Sequence, residues 1–129
     1  MKQLKIAAGI IRNPQGEVFI TRRPADVHMA NKLEFPGGKI EADETPEQAL
    51  VRELEEEIGI TATSFSHYET IIWEKEELNI TLWFFMVDKW QGEPWGREGQ
   101  HGQWIAVNKL VASEFPPANE PVVKKLQQP

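Results

Sequence analysis

From Leu4 to Arg12 the chain reads LKIAAGIIR, an apolar run of strand length with too little alternation to leave one face in water. It predicts a strand buried along at least part of its length. Asn13-Pro14-Gln15-Gly16 is a turn sequence and Glu17–Arg23 (EVFITRR) a second strand, so the two together predict a hairpin. Residues 24–34 show no periodicity and read as an irregular loop, and Phe35-Pro36-Gly37-Gly38 is a further break. A helix follows with its ends marked. Thr45 is placed to cap it, Pro46 fits the first helical position, Gln48 completes a capping box, and Gly59 is the natural stop. Two strands are predicted near 67–74 and 79–88, the second carrying the strongly β-prone NITLWFFMV. Another strand is expected at Gln103–Val107 and a short closing helix at 119–127. With no repeat, low-complexity tract or linker, the pattern predicts one α/β domain over residues 1–129 with a mixed sheet.

Composition narrows the functional classes. The 129 residues suit one domain, and 40% hydrophobic with 26% charged residues is the balance of a globular protein. The absence of cysteine excludes disulfides, thiolate nucleophiles and Cys-ligated metal or cluster sites. No apolar stretch approaches membrane length and no signal-peptide pattern is visible, so the expected address is the cytoplasm with no membrane partner. The formal charge of −6 argues against a nucleic-acid polymer as partner. That charge is also localised: residues 38–60 hold eight acids and two bases, while the rest of the chain is balanced.

The acidic segment coincides with the predicted helix. Leu50, Val51, Leu54 and Ile58 cluster on one side and should dock on the sheet, and Glu53, Glu56 and Glu57 share a neighbouring arc. A solvated charged face is the ordinary reading of such a helix. Here Glu53 and Glu57 form a like-charge i,i+4 pair toward the negative end of the helix dipole, beside the apolar face, and Arg52 is expected to relieve one acid but not the set. A divalent cation would resolve the conflict. Carboxylate oxygens suit Mg²⁺ or Mn²⁺, and His28, His67 and His101 lack the ligand spacing of a zinc site.

These residues also carry a resemblance. Gly38, five residues, Glu44, seven residues, then Arg52-Glu53-Leu54-Glu55-Glu56-Glu57-Ile58-Gly59-Ile60 resembles the complete Nudix box, G-x5-E-x7-R-E-U-x-E-E-x-G-U with U apolar, over residues 38–60. The resemblance implies a Nudix fold, an α/β/α sandwich with a mixed sheet, and a hydrolase that cuts a pyrophosphate bond in a nucleoside diphosphate derivative. It implies Mg²⁺, replaceable by Mn²⁺, held by Glu53, Glu56, Glu57 and the Gly37 carbonyl. Glu53 becomes the candidate for activating water, while Arg52 and Glu44 orient the box and brace its loop.

Outside the box, His28–Lys39 (HMANKLEFPGGK), Trp90–Gly96 (WQGEPWG) and Phe115–Pro121 (FPPANEP) resemble the 8-oxo-dGTP diphosphatases of that family. The implied substrate contacts are Arg23, His28, Glu34, Phe35, Pro36, Gly37 and Asn119, with Arg23 on phosphate. Glu98 matches a loop glutamate that reaches the metal centre in such enzymes. From the residues alone Asn119 has two readings: a cap for the last helix, or an amide that pairs with a purine edge. The similarity of its segment favours the second. The implied reaction is conversion of 8-oxo-dGTP, with 8-oxo-GTP and more weakly dGTP, to the monophosphate and pyrophosphate by a monomer acting on a small nucleotide. A pyrimidine triphosphate pyrophosphohydrolase carries the same box and is the alternative. A non-catalytic nucleotide sensor is disfavoured because the box is intact. The acidic stretch 73–79 (WEKEELN) is a poor lining for a nucleotide pocket; if a loop there closes over the base, backbone groups rather than side chains are expected to supply its affinity.

Overall fold

The computed structural model describes residues 2–23, 31–96 and 101–128. Seven strands and two α-helices are found among them: β1 (Lys2–Ile11), β2 (Glu17–Arg22), β3 (Leu33–Glu34), β4 (Gly37–Lys39), α1 (Pro46–Ile58), β5 (Thr61–Lys75), β6 (Leu78–Gln91), β7 (His101–Ala106) and α2 (Glu120–Leu126), with three short 3-10 turns between β7 and α2. No helix among the described residues is long and apolar enough to cross a membrane.

The strands form two sheets, a four-stranded one in the order β4-β1-β6-β5 and a three-stranded one in the order β3-β2-β7. The larger sheet is mixed: β1 runs parallel to β6, and the β1–β4 and β5–β6 pairs are antiparallel. The predicted β1–β2 hairpin does not form. The two strands lie in different sheets and touch only through an isolated bridge between Arg12 and Val18. The reason is burial on both faces. Ala7 and Ile11 pack toward α1, while Ala8 and Ile10 belong to a second core with Phe115, Val122 and Val123 from the C-terminal segment. A strand in that position sits inside a sheet with β6 and β4 as neighbours, and the second strand is displaced to the adjoining sheet. The result is an α/β/α sandwich, with α1 on one side and α2 on the other.

The helix ends follow the sequence. Gln48 N–H donates to Thr45 Oγ1 at 3.1 Å and Thr45 N–H to Gln48 Oε1 at 2.9 Å, closing the capping box. Gly59 ends the helix in the left-handed region at φ 70°, its N–H bonding Glu55 O. Leu50, Leu54 and Ile58 are buried, but Val51 is only half-buried and opens onto an outer groove instead of docking fully.

Two stretches read as irregular are partly sheet. Leu33–Glu34 pairs with Thr21 and Arg22, and Gly37–Lys39 pairs with Ile6–Ala8. Strands of two and three residues are too short for periodicity to register, and glycines have no β propensity to signal. The acidic 73–79 stretch is likewise no loop. β5 and β6 continue to a tight turn at Glu76-Glu77, where Glu76 has φ 55°.

Candidate active site

β4 lies at the edge of the larger sheet, and α1 crosses beside it. Any side chain at Gly37 would run into the backbone of Ala7 and Ala8, and one at Gly38 would occupy the space of the Glu53 carboxylate. Gly37 therefore lets β4 lie tightly against β1, and Gly38 lets α1 bring the Glu53 carboxylate onto the backbone of β4. Glu57 is buried at 4% exposure, and Gly37 N–H donates to its Oε2 at 2.9 Å. Glu53 is mostly covered, while the Glu56 side chain is 54% exposed and turns outward. The three acids predicted to share one arc thus divide: Glu57 inward, Glu53 at the edge, Glu56 in solvent.

Arg52 connects them. Its Nε and Nη2 donate to Glu44 at 2.6 and 2.8 Å, Nη1 donates to Glu53 Oε1 at 2.9 Å and Glu56 Oε2 at 3.1 Å, and Nη2 also bonds Lys39 O at 3.0 Å. The expectation that Arg52 relieves a single acid is therefore corrected. A planar guanidinium presents five donors in one fork, and the geometry uses it to hold three carboxylates and the end of β4. The Arg52 hydrogen bonds, followed by Glu41 N–H, hold the Glu44 carboxyl down at about 2, and Arg52 itself is pushed further up. Glu44 and Arg52 form a two-pronged brace beside the acids.

On the α2 side of the larger sheet lies a cavity of about 580 Å³. Its floor is apolar, with Leu4, Ile6 and Ala8 from β1 and Leu78, Ile80 and Leu82 from β6; Gly37, Gly38, Lys39 and Glu57 form one rim. Arg23, Glu34, Trp73 and the Pro116–Asn119 segment complete the wall. Arg23 Nη1 pairs with Glu34 Oε2 at 3.1 Å. Burial pushes the Glu34 carboxyl above its usual value against the charge and hydrogen bond of Arg23.

Of the residues expected at the site, Arg23, Glu34, Phe35, Gly37, Glu57 and Asn119 line this one cavity, with Glu53 packed against Gly38 beside it. Phe35 is 5% exposed and stacked on Phe115 at 5.3 Å, so it serves the core as much as the cavity. Pro36 is buried, its carbonyl accepting from Gly9 N–H at 2.8 Å, and it does not line the cavity. His28 and Glu98 lie outside the described residues. Asn119 occupies the cap position of α2 but makes no side-chain capping bond and sits in αR conformation. It is 9% exposed and faces the cavity, which removes the helix-cap reading. Trp73 and Leu78 also line the cavity: the 73–79 stretch, whose expected backbone contribution depends on its closing as a loop, is paired strand instead, and paired strands project alternate side chains to one face.

The donor set suits a hard cation. Carboxylate oxygens lie against β4, and the Glu53 carboxylate sits where a Cβ at Gly38 would otherwise be, which keeps a hard oxygen donor next to the backbone of that strand. Among the described residues no three acidic or imidazole side chains form a ready-made cage. Mg²⁺ does not need one, since it keeps several waters and takes one or two carboxylates plus substrate phosphates.

The NUDIX domain family pattern matches residues 2–126. The chain is 62% identical to an 8-oxo-dGTP diphosphatase of Escherichia coli K12 over 99% of both chains. It is 50% identical to one of Haemophilus influenzae over 97% of this chain and 92% of the other. It is also 34% identical to an Escherichia coli CTP pyrophosphohydrolase, covering 96% of this chain and 91% of the other. A solved structure from a study of MutT in Aliivibrio salmonicida and Vibrio cholerae superposes with a TM-score of 0.82 at 45% identity, covering 97% of each chain. With a complete box folded against β4 and family similarity along its whole length, the chain belongs to the Nudix hydrolase family and closely resembles its 8-oxo-dGTP diphosphatases.

Proposed function

We propose that this enzyme hydrolyses 8-oxo-dGTP, with 8-oxo-GTP and more weakly dGTP, to the nucleoside monophosphate and pyrophosphate, in the presence of Mg²⁺ or Mn²⁺. The observation that carries the base assignment is Asn119, an amide facing the cavity and released from any capping bond. 8-Oxoguanine offers an N7–H donor where guanine has an acceptor, and an amide oxygen accepts from the former but not the latter.

Glu53, Glu56, Glu57 and the Gly37 carbonyl are the residues to hold the ion, with Glu98 as a further candidate. A bound divalent ion supplies charge neutralisation for the pyrophosphate and lowers the pKa of water. In the proposed step a water oxygen bonds to the β-phosphorus, the bridging oxygen departs with the monophosphate, and Glu53 accepts the water proton. Arg23, on the cavity wall, binds phosphate and can exchange its Glu34 partner for it. Arg52 and Glu44 hold Glu53 in its rotamer, so that its geometry is set before substrate arrives. The acidic helix is thereby a working surface, and the enzyme acts on a small nucleotide as a monomer.

The test is pyrophosphate release from 8-oxo-dGTP, dGTP, CTP and ADP-ribose, each with Mg²⁺ and with EDTA. The proposal expects 8-oxo-dGTP to give the highest kcat/KM and EDTA to abolish turnover. A preference for CTP, as in the name of the 34% identical relative, would move the assignment to pyrimidine triphosphates.

A further inference from the structure

Trp73 is an aromatic side chain on the wall of the cavity that the box does not explain. It is 37% exposed, one of four large hydrophobics left open to solvent among the described residues. Its position follows from sheet register: Trp73 pairs with Ile80 on β6, and Ile80 with Leu4 on β1. Residues directly opposite one another project to the same face, so Leu4, Ile80 and Trp73 form one transverse row, and all three line the cavity. Gly37, Gly38, Lys39 and Glu57 lie across β1 from this row, on the β4 side of the same cavity. The cavity is therefore polar and backbone-rich along β4, and apolar with one indole along β5. Glu74, Glu76 and Glu77 surround the hairpin turn beyond Trp73 and disfavour a polyphosphate there.

We propose that Trp73 is a base-contacting specificity residue, its indole stacking on the purine of the bound nucleotide while the phosphates lie toward β4. The inference rests on the purine nucleotide reading above and deepens it. An indole face covers a bicyclic base more fully than a single ring, so Trp73 favours purines over pyrimidines without distinguishing oxidised from normal guanine. That division separates it from Asn119, which reads the base edge. A partly exposed aromatic at the cavity mouth is covered by such a ligand, which gives its exposure a function.

The experiment compares wild type, Trp73→Ala and Trp73→Phe on 8-oxo-dGTP, dGTP and CTP, with 8-oxo-dGMP and CMP binding measured by calorimetry and a melting curve for each variant. Trp73→Ala should raise KM for both purine nucleotides about 5- to 100-fold with kcat within about twofold, and weaken 8-oxo-dGMP binding in proportion. Trp73→Phe should restore most of the loss, the ratio of 8-oxo-dGTP to dGTP should stay as in wild type, and CTP and CMP should change less than threefold. Purine KM and 8-oxo-dGMP affinity within twofold of wild type in Trp73→Ala would overturn the inference while leaving the proposed activity standing. So would an equal loss for CTP, or a fall in kcat at unchanged KM. A wild type that binds and hydrolyses no purine nucleotide overturns the functional reading itself, and the stacking role with it.

Discussion

At the scale of single residues, Glu53 and Asn119 illustrate two ways in which a side chain acquires a role. Glu53 is positioned by Arg52 on one side and by the missing side chain of Gly38 on the other. If Glu53 has the proposed roles, Glu53→Gln preserves the shape but removes the proton acceptor and a hard ligand, so kcat for 8-oxo-dGTP should fall by about 10²–10⁴ or more with the melting temperature in EDTA maintained. Turnover within tenfold of wild type would take Glu53 out of the proton-accepting role. Asn119→Ala should weaken 8-oxo-dGMP binding by about 1–3 kcal/mol and shrink the preference for the oxidised base, while dGTP is still hydrolysed. Because the side chain makes no capping bond, the ~1 kcal/mol stability loss typical of a removed helix cap is not expected. Parallel kcat/KM values for the two nucleotides and a melting curve read both effects. Asn119's sequence neighbours favour a base reader over a cap only through the resemblance of the FPPANEP segment, and its placement against the cavity without a capping bond adds support to that reading.

At the scale of elements, the Arg52–Glu44 brace ties the loop before α1 to the helix and to β4. The Glu44 carboxyl is held at about 2, below its ordinary 4.5, chiefly by Arg52. A group whose folded-state value is depressed stabilises above its unfolded value and loses that contribution as pH falls toward the folded one. The acid limb of stability between about pH 4.5 and 2 should therefore be shallower in Glu44→Gln than in wild type, with the variant less stable at neutral pH. Melting temperatures across that range check it, and superimposable acid limbs would contradict the brace. Glu34, raised by burial, works in the opposite sense: its contribution is present below 4.5 and lost as pH rises through its folded value. The glutamine variant at position 44 leaves that group in place, so the difference between the two proteins isolates the brace. The elements themselves were unequally legible. α1 was delimited by Thr45, Pro46, Gln48 and Gly59, whose effects are local. β3 and β4 carry no signal in the sequence because each is defined by its partner strand and not by its own pattern.

At the scale of the whole molecule, the fold gathers acids that repel one another onto a surface beside a cavity. Glu57 is buried against Gly37 and Glu53 is nearly so, and under the proposed reading a divalent ion would stabilise this arrangement in the folded state alone. Millimolar Mg²⁺ should therefore raise the melting temperature by several degrees over EDTA, by mass action on the folded form. Glu53→Gln should reduce that increment. An identical melting curve in both conditions would contradict the metal reading of α1.

The linear pattern was enough to establish an α/β domain, the ends of α1, and the spacing of Gly38, Glu44, Arg52, Glu53, Glu56 and Glu57, because helical geometry and capping depend on residues within one or two turns of each other. The sheet to which each strand belongs was decided only in three dimensions. Leu4–Arg12 and Glu17–Arg23 read as a hairpin, yet burial of β1 on both faces placed β6 and β4 beside it and moved β2 away. The same long-range pairing turned an acidic stretch into a hairpin that delivers Trp73 to the cavity, and packing of the C-terminal segment over the sheet turned Asn119 toward it. Strand partners and cavity walls come from residues far apart in the chain, and their choice minimises exposed apolar surface over the whole molecule, a quantity no short window of sequence contains.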